Sequence, residues 1–335
     1  MGVEWERNLH QAGSKSGLVV STDALLVHER HTRLVRIDPL DGSVRWDVHV
    51  GPFPRAITVV GRRCLVLPQN TGQLLCLDMV TGERMWSTDL DRFIGHLLAT
   101  EDAILVGGWR GYTPLRVLDM VTGQLRWETD DLVHTVRPAI AGDSFLIGEP
   151  GSSTVALIDR HEFRKISSLS LPQPLVDHDD RAAFTPTENH RFRVRCGLRS
   201  VVEIQPLTEI AREFVVADRD LGSSAPVHAG GVIWMRDRQS GFAVADSHDG
   251  HVLPNVDLPQ PPVDQVVAVG AGFVVAGTFG TLFYLDIDGH VIAKETVSRR
   301  IRSLHRLGSE RVLVMTKGTL LAAQINSHAS QIMLS

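Results

Sequence analysis

"LLCLDMVTGERMW", Leu74–Trp86, is followed by "LRVLDMVTGQLRW", Leu115–Trp127, in which every framing residue returns 41 positions later. An earlier version, "LVRIDPLDGSVRW", occupies Leu34–Trp46. Each copy is an apolar run ending in Asp, a Gly-containing turn, and a second run carrying Trp eight residues after the Asp. Asp and Gly are turn formers between β-prone runs, so each copy reads as an antiparallel hairpin.

Working outward, the apolar-run-then-Asp pattern recurs at Asp38, Asp78, Asp119, Asp159, Asp246 and Asp286, with Gln205 and Gln324 as weaker anchors. Successive spacings are 40, 41, 40, 46, 41, 40 and 38. A period near forty identifies a repeat array. The second unit divides into four short runs, "RAITVVG", "RCLVLPQ", "LLCLDMV" and "ERMWSTD", separated by turn residues at Gly61, Gly72 and Gly82. The runs are apolar without clean alternation, as expected of sheets covered on both faces. Stacking such sheets around a ring provides that cover.

Tryptophan positions predict how the ring closes. Trp46, Trp86 and Trp127 precede the next anchor by 32, 33 and 32 residues, and Trp5 precedes Asp38 by 33. Trp5 therefore holds an outer-strand slot with no anchor upstream. The last anchor, Gln324, is followed by eleven residues and no Trp. The expectation is one domain over 1–335, an all-β eight-bladed β-propeller whose N-terminal strand completes the last C-terminal blade.

The "LDMVTGxxxW" string resembles the repeat of the PQQ-like, quinoprotein alcohol dehydrogenase-like β-propellers. The resemblance implies that the Trp packs between neighbouring blades. In later copies its slot holds Ser167, Glu213, Pro254 and Lys294, so those seams are expected to be filled differently. Quinoprotein dehydrogenases of this type carry an adjacent Cys-Cys pair, whereas Cys64, Cys76 and Cys196 are dispersed here. No PQQ, other cofactor or metal is expected. Relatives also include scaffolds and sensor modules, so the family constrains fold more than activity.

Composition narrows the partners. The 335 residues carry 34 Lys and Arg against 39 Asp and Glu, a net charge of −5, which does not indicate a general nucleic-acid or membrane surface. No apolar run approaches bilayer-spanning length, and the N-terminus lacks a basic-then-apolar leader pattern, so a cytoplasmic monomer is expected. Three cysteines make neither a disulfide framework nor a zinc cluster.

The loops joining each outer strand to the next inner strand meet at the channel. Aligned on the anchors, they carry Lys15, Arg55, His96, Arg137, Arg181, Ser224, Asp264 with Gln265, and Arg302. Ring-equivalent positions converge, and the repeated cations suggest a collar of Lys15, Arg55, His96, Arg137, Arg181 and Arg302. Arginine suits bidentate capture of carboxylate or phosphate. The competing expectation pairs these cations with seam acids such as Asp91, Asp180 and Asp264. Phe53 and Phe93 fall beside the collar, as core or as a pocket wall.

The six extra residues of the 46-residue step fit "LPQPLVDHDDR", Leu171 to Arg181. There His178 is flanked by Asp177, Asp179 and Asp180, a proton-moving or solvated acidic loop. Three functions follow: a module binding a small anion or an acidic peptide or protein; a cofactor-independent lyase, isomerase or hydrolase using His96, His134 or His178; or a scaffold. No nucleophile or metal-ligand motif is present, which places the binding module first.

Overall fold

The structure is a computed structural model that describes residues 2–10, 18–21, 23–68, 71–176, 182–297 and 300–325. The described residues form eight four-stranded antiparallel sheets. The first blade comprises Leu18–Val20, Leu25–Glu29, Arg33–Ile37 and Val44–His49, and the second comprises Pro54–Val60, Arg63–Pro68, Gln73–Asp78 and Arg84–Asp89. The four runs read from the second repeat are these last four strands. In the eighth blade, Ile301–Arg306, Arg311–Thr316 and Thr319–Gln324 are completed by Gly2–Asn8. Gly2 pairs with Gln324 and Trp5 with Ala322, so the chain ends close the ring as expected.

The anchor Asp shapes the turn between third and fourth strands. Asp78 Oδ1 accepts the amides of Val80 and Thr81 at 2.8 and 2.9 Å, and Asp119 Oδ1 accepts those of Val121 and Thr122 at 2.9 and 2.8 Å. Asp159 and Asp246 do the same in their own blades. An Asp side chain thus fixes the backbone two and three residues on. Four residues after the anchor, Gly42, Gly82 and Gly123 are left-handed, with φ of 73°, 77° and 72°.

That glycine also receives the preceding blade. A Cβ on Gly82 would lie 2.9 Å from the Trp46 ring, and one on Gly123 would lie 2.6 Å from Trp86. Trp46 Nε1 donates to the Met79 carbonyl at 3.0 Å, fixing the ring in the seam. In the fourth blade Phe163 takes the glycine slot and stacks on Trp127 at 5.8 Å. The later seams are filled differently: Phe214 packs at Gly250 and Val256 at Gly289.

Antiparallel order gives the ring two unlike faces. Inner strands begin on one face, called the mouth face, which also carries the hairpins between second and third strands. The opposite, turn face carries the Asp-Gly turns and the hairpins between first and second strands. Among the described residues no helix is long and apolar enough to cross a membrane.

Candidate functional site

On the mouth face, the starts of three successive inner strands enclose a cavity of about 500 Å³. Leu18 enters from the first blade, Asp264 and Gln265 from the seventh, and Arg300, Arg302 and Ser303 from the eighth. Arg236, at the end of a sixth-blade strand, joins them. Positions aligned from the repeat therefore do meet in space at this sector.

Bulges place the aligned residues. Opposite a regular neighbour strand, Ile301 pairs with Thr316 and Ser303 with Met315, leaving Arg302 as the extra residue. Pro54 pairs with Pro68 and Ala56 with Leu67, leaving Arg55 at the same point of the second blade. In the seventh blade the register shift between Pro262 and Val266 contains Asp264 and Gln265. A bulge redirects its side chain relative to the regular pleat.

Within the cavity, Arg236 Nη1 donates to Asp264 Oδ1 at 2.6 Å. Burial and the neighbouring Arg300 lower the pKa of Arg302. Burial holds the His305 ring, also at the wall, down to about 4. Ser303 Oγ and Gln265 Oε1 are buried and have no hydrogen-bond partner among the described residues. Unmatched buried polar atoms are uncommon and call for an explanation.

The remaining candidates separate. His96 is buried, its Nε2 2.9 Å from the Thr135 carbonyl oxygen, which ties the third blade to the fourth. Arg137 is exposed, and its amide donates to the Ala182 carbonyl at 3.0 Å across the next seam. His134 is exposed. None of these three lines the cavity. Lys15, His178 and Arg181, with Asp177, Asp179 and Asp180, lie outside the described residues, as does the side chain of Arg55. The cavity includes Arg236, Arg300 and His305, which repeat alignment missed because they lie off the aligned position.

One other expectation changes. Phe53 and Phe93 are exposed, at 44% and 46%, rather than core, and each has a left-handed backbone. Cys64 pairs with Leu77 and Cys76 with Leu65, so the two cysteines are offset by one position. They pack into separate apolar clusters on opposite sides of their sheet. A disulfide between them would require backbone movement.

Residues 30–175 match the family described as outer membrane protein assembly factor BamB. No curated protein matches the chain in sequence. BamB from Moraxella catarrhalis is similar in structure, with a TM-score of 0.74 at 14% identity over 96% of this chain and 98% of that one. The computationally designed Ika8 protein gives 0.73 at 16% identity, covering 95% and 100% of the two chains. Apo AztD from Citrobacter koseri gives 0.68 at 12% identity, covering 91% of each. These likenesses establish the shared fold. Over residues 30–175, the family match and the Asp-Gly-Trp seams make these repeats similar to PQQ-like β-propeller repeats.

Proposed function

We propose that the chain is a binding module whose mouth-face cavity captures an anionic group, carried by a small molecule or by an acidic segment of a partner protein. One observation carries this reading: among the described residues, Arg236, Arg300 and Arg302 line this one cavity together, with Arg236 engaging Asp264. Guanidinium groups held together in a partly buried site repel one another, and a bound anion offsets that cost. Ser303 Oγ adds a hydroxyl that can turn its proton toward such an anion.

A proton-moving enzyme is less well supported. His96 and His134 lie away from the cavity, and the His305 ring is held neutral by burial. The proposal invokes no quinone or metal. It is compatible with the description of the matched family as an outer membrane protein assembly factor.

The test is a thermal-shift screen of carboxylates and phosphates on the full chain, repeated with Arg302→Ala. A ligand at one hundred times its Kd should stabilise the native chain by about 2.7 kcal/mol. Arg302→Ala should abolish that gain while leaving the unliganded melting temperature nearly unchanged. Absence of stabilisation by every anion removes the proposal.

A further inference from the structure

The seam between the fifth and sixth blades differs from its neighbours. Its apolar cluster runs from Val201, Val215, Leu221 and Met235 near the mouth face to Ile233 and Ala245 near the turn face. On the fifth-blade side, toward the turn face, an ionic row lies beside it. Arg193 pairs across the strands with Glu203, and Glu203 with Arg212. Beside this row is a cavity of about 480 Å³, on the opposite face of the ring from the mouth-face cavity, or funnel.

Three guanidiniums share one carboxylate here. Glu203 is almost fully buried and accepts from Arg191 at 3.3 Å, Arg193 at 3.2 Å and Arg212 at 3.0 Å. Burial opposes ionisation of Glu203, but the surrounding arginines win and hold its pKa below the usual value. Glu203 leaves two of the three positive charges unmatched within the cluster. The exposed Glu188 stands at the cavity rim, in a loop whose Asn189 and His190 have left-handed backbones.

The deepest side chain is built into the wall. Arg193 is 4% exposed and lies 3.8 Å from the centre of the Phe214 ring. Its Nη2 also donates to the Ser247 carbonyl at 2.7 Å. Its Nη1 lies 3.4 Å from His228 Nδ1. A guanidinium only donates, so Nδ1 accepts and the neutral ring carries its proton on Nε2. His228 Nε2 and Arg193 Nε are both buried without a hydrogen-bond partner among the described residues. Two unmatched donors beside surplus positive charge call for an acceptor with negative charge.

We infer that this seam cavity is a second binding site, selective for a small anion bearing a carboxylate or phosphate, with Arg191 and Arg193 as its cationic wall. Pro186, Ala229 and Val232 line the same space, which suits a ligand with a short apolar body. The size falls in the range of small-molecule sites. The site is independent of the funnel, since none of its lining residues is shared.

The test is a titration of the full chain with inorganic phosphate and, separately, with butyrate, followed by the ring NMR signals of His228 and His248, both of which line the cavity. Saturable shifts with either anion are expected, and the responding probe identifies the head group. Arg191→Ala should raise the midpoint at least about tenfold, whereas Arg302→Ala, in the funnel, should leave it unchanged. Arg191→Gln serves as a second variant if the alanine form loses its fold. Absence of a shift with both anions overturns the inference. So does an unchanged midpoint in a folded Arg191 variant, or a midpoint that follows Arg302 instead.

Discussion

The indole of Trp5, on the first strand, lies against Gly42, on the turn of the next blade, so closely that a Cβ there would come within 2.9 Å of the ring. The same strand ties the two ends of the chain together, with Glu4 Oε2 accepting from Arg311 Nη2 at 2.6 Å. Arg311 also donates to the Pro39 carbonyl, as does Trp5 Nε1 at 3.2 Å. The pairing of the first strand with the last is thus reinforced by one aromatic seam and the polar contacts around it.

Removing that seam should weaken the whole domain. Trp5 is only half-buried, so Trp5→Ala should cost about 2 kcal/mol, below the 3–5 typical of a fully buried Trp. Gly42→Ala combines a left-handed backbone, φ 73°, with a clash against the ring, and should cost more than about 1 kcal/mol. Equilibrium urea unfolding measures both. If neither variant shifts the midpoint, the Trp5 seam does not help to hold the ring closed.

The cysteines should be silent in the native chain. All three are free and buried, and burial pushes Cys64 and Cys196 up to about 12 and Cys76 up to about 11. The thiolate is the reactive form, so a thiol reagent at pH 8 should label the folded protein far more slowly than the urea-unfolded protein. Rapid native labelling would contradict this packing.

Acid should act in two stages. Burial lowers His228 and His305 to about 4, with Arg193 adding to the effect at His228. The unfolded chain therefore binds protons from about pH 6.5 downward that the native chain refuses, and stability falls as pH drops from 6.5 toward 4. Below that range the anchors Asp78, Asp119, Asp159 and Asp246 enter. Backbone amides hold their carboxylates below the ordinary value, so their contribution is present above the unfolded pKa and is lost as pH falls through the folded one. Urea midpoints from pH 8 to 3 check the slope, and His305→Gln should flatten it between pH 6.5 and 4.

Arg195 should not tolerate lysine. It is 1% exposed, and its fork donates to the carbonyls of Gly222 and Leu198 at 3.2 Å each, and to that of Ser200. These contacts fix a second-to-third-strand hairpin to the loop leading into the sixth blade. Lysine offers one nitrogen instead of a planar fork, and the carbonyls it fails to reach become unmatched. Arg195→Lys should cost about 2 kcal/mol by urea unfolding.

Much of the fold is legible because its units are local. The Asp turn and the glycine four residues later are satisfied within one hairpin, so any copy such as Leu74–Trp86 carries the instructions for its own shape. Tryptophan spacing extends that to the seams, and the upstream position of Trp5 revealed which strand closes the ring. Where the repeat decays, the signal fades: the roles of Phe214 and Val256 in filling later seams lie off the Trp slot and are set by shape.

The sites were only partly legible. Asp264, Gln265 and Arg302 emerged from alignment because equivalent bulges start equivalent strands. Arg236 did not, since it reaches the funnel from a strand end that no repeat alignment flags. The Arg193–Glu203–Arg212 row was invisible for the same reason. Its residues come from three strands, and the cross-strand register that puts opposite charges together is settled by pairing between distant segments.

By itself, then, the sequence determined the period, the blade count, the closing strand and the turn chemistry, all of which depend on contacts within about forty residues or on a repeated spacing. Only the tertiary structure decided which cations converge, which histidines are sealed into seams, and which seam is hollow. Those properties depend on distances between residues far apart in the chain, and packing alone sets those distances.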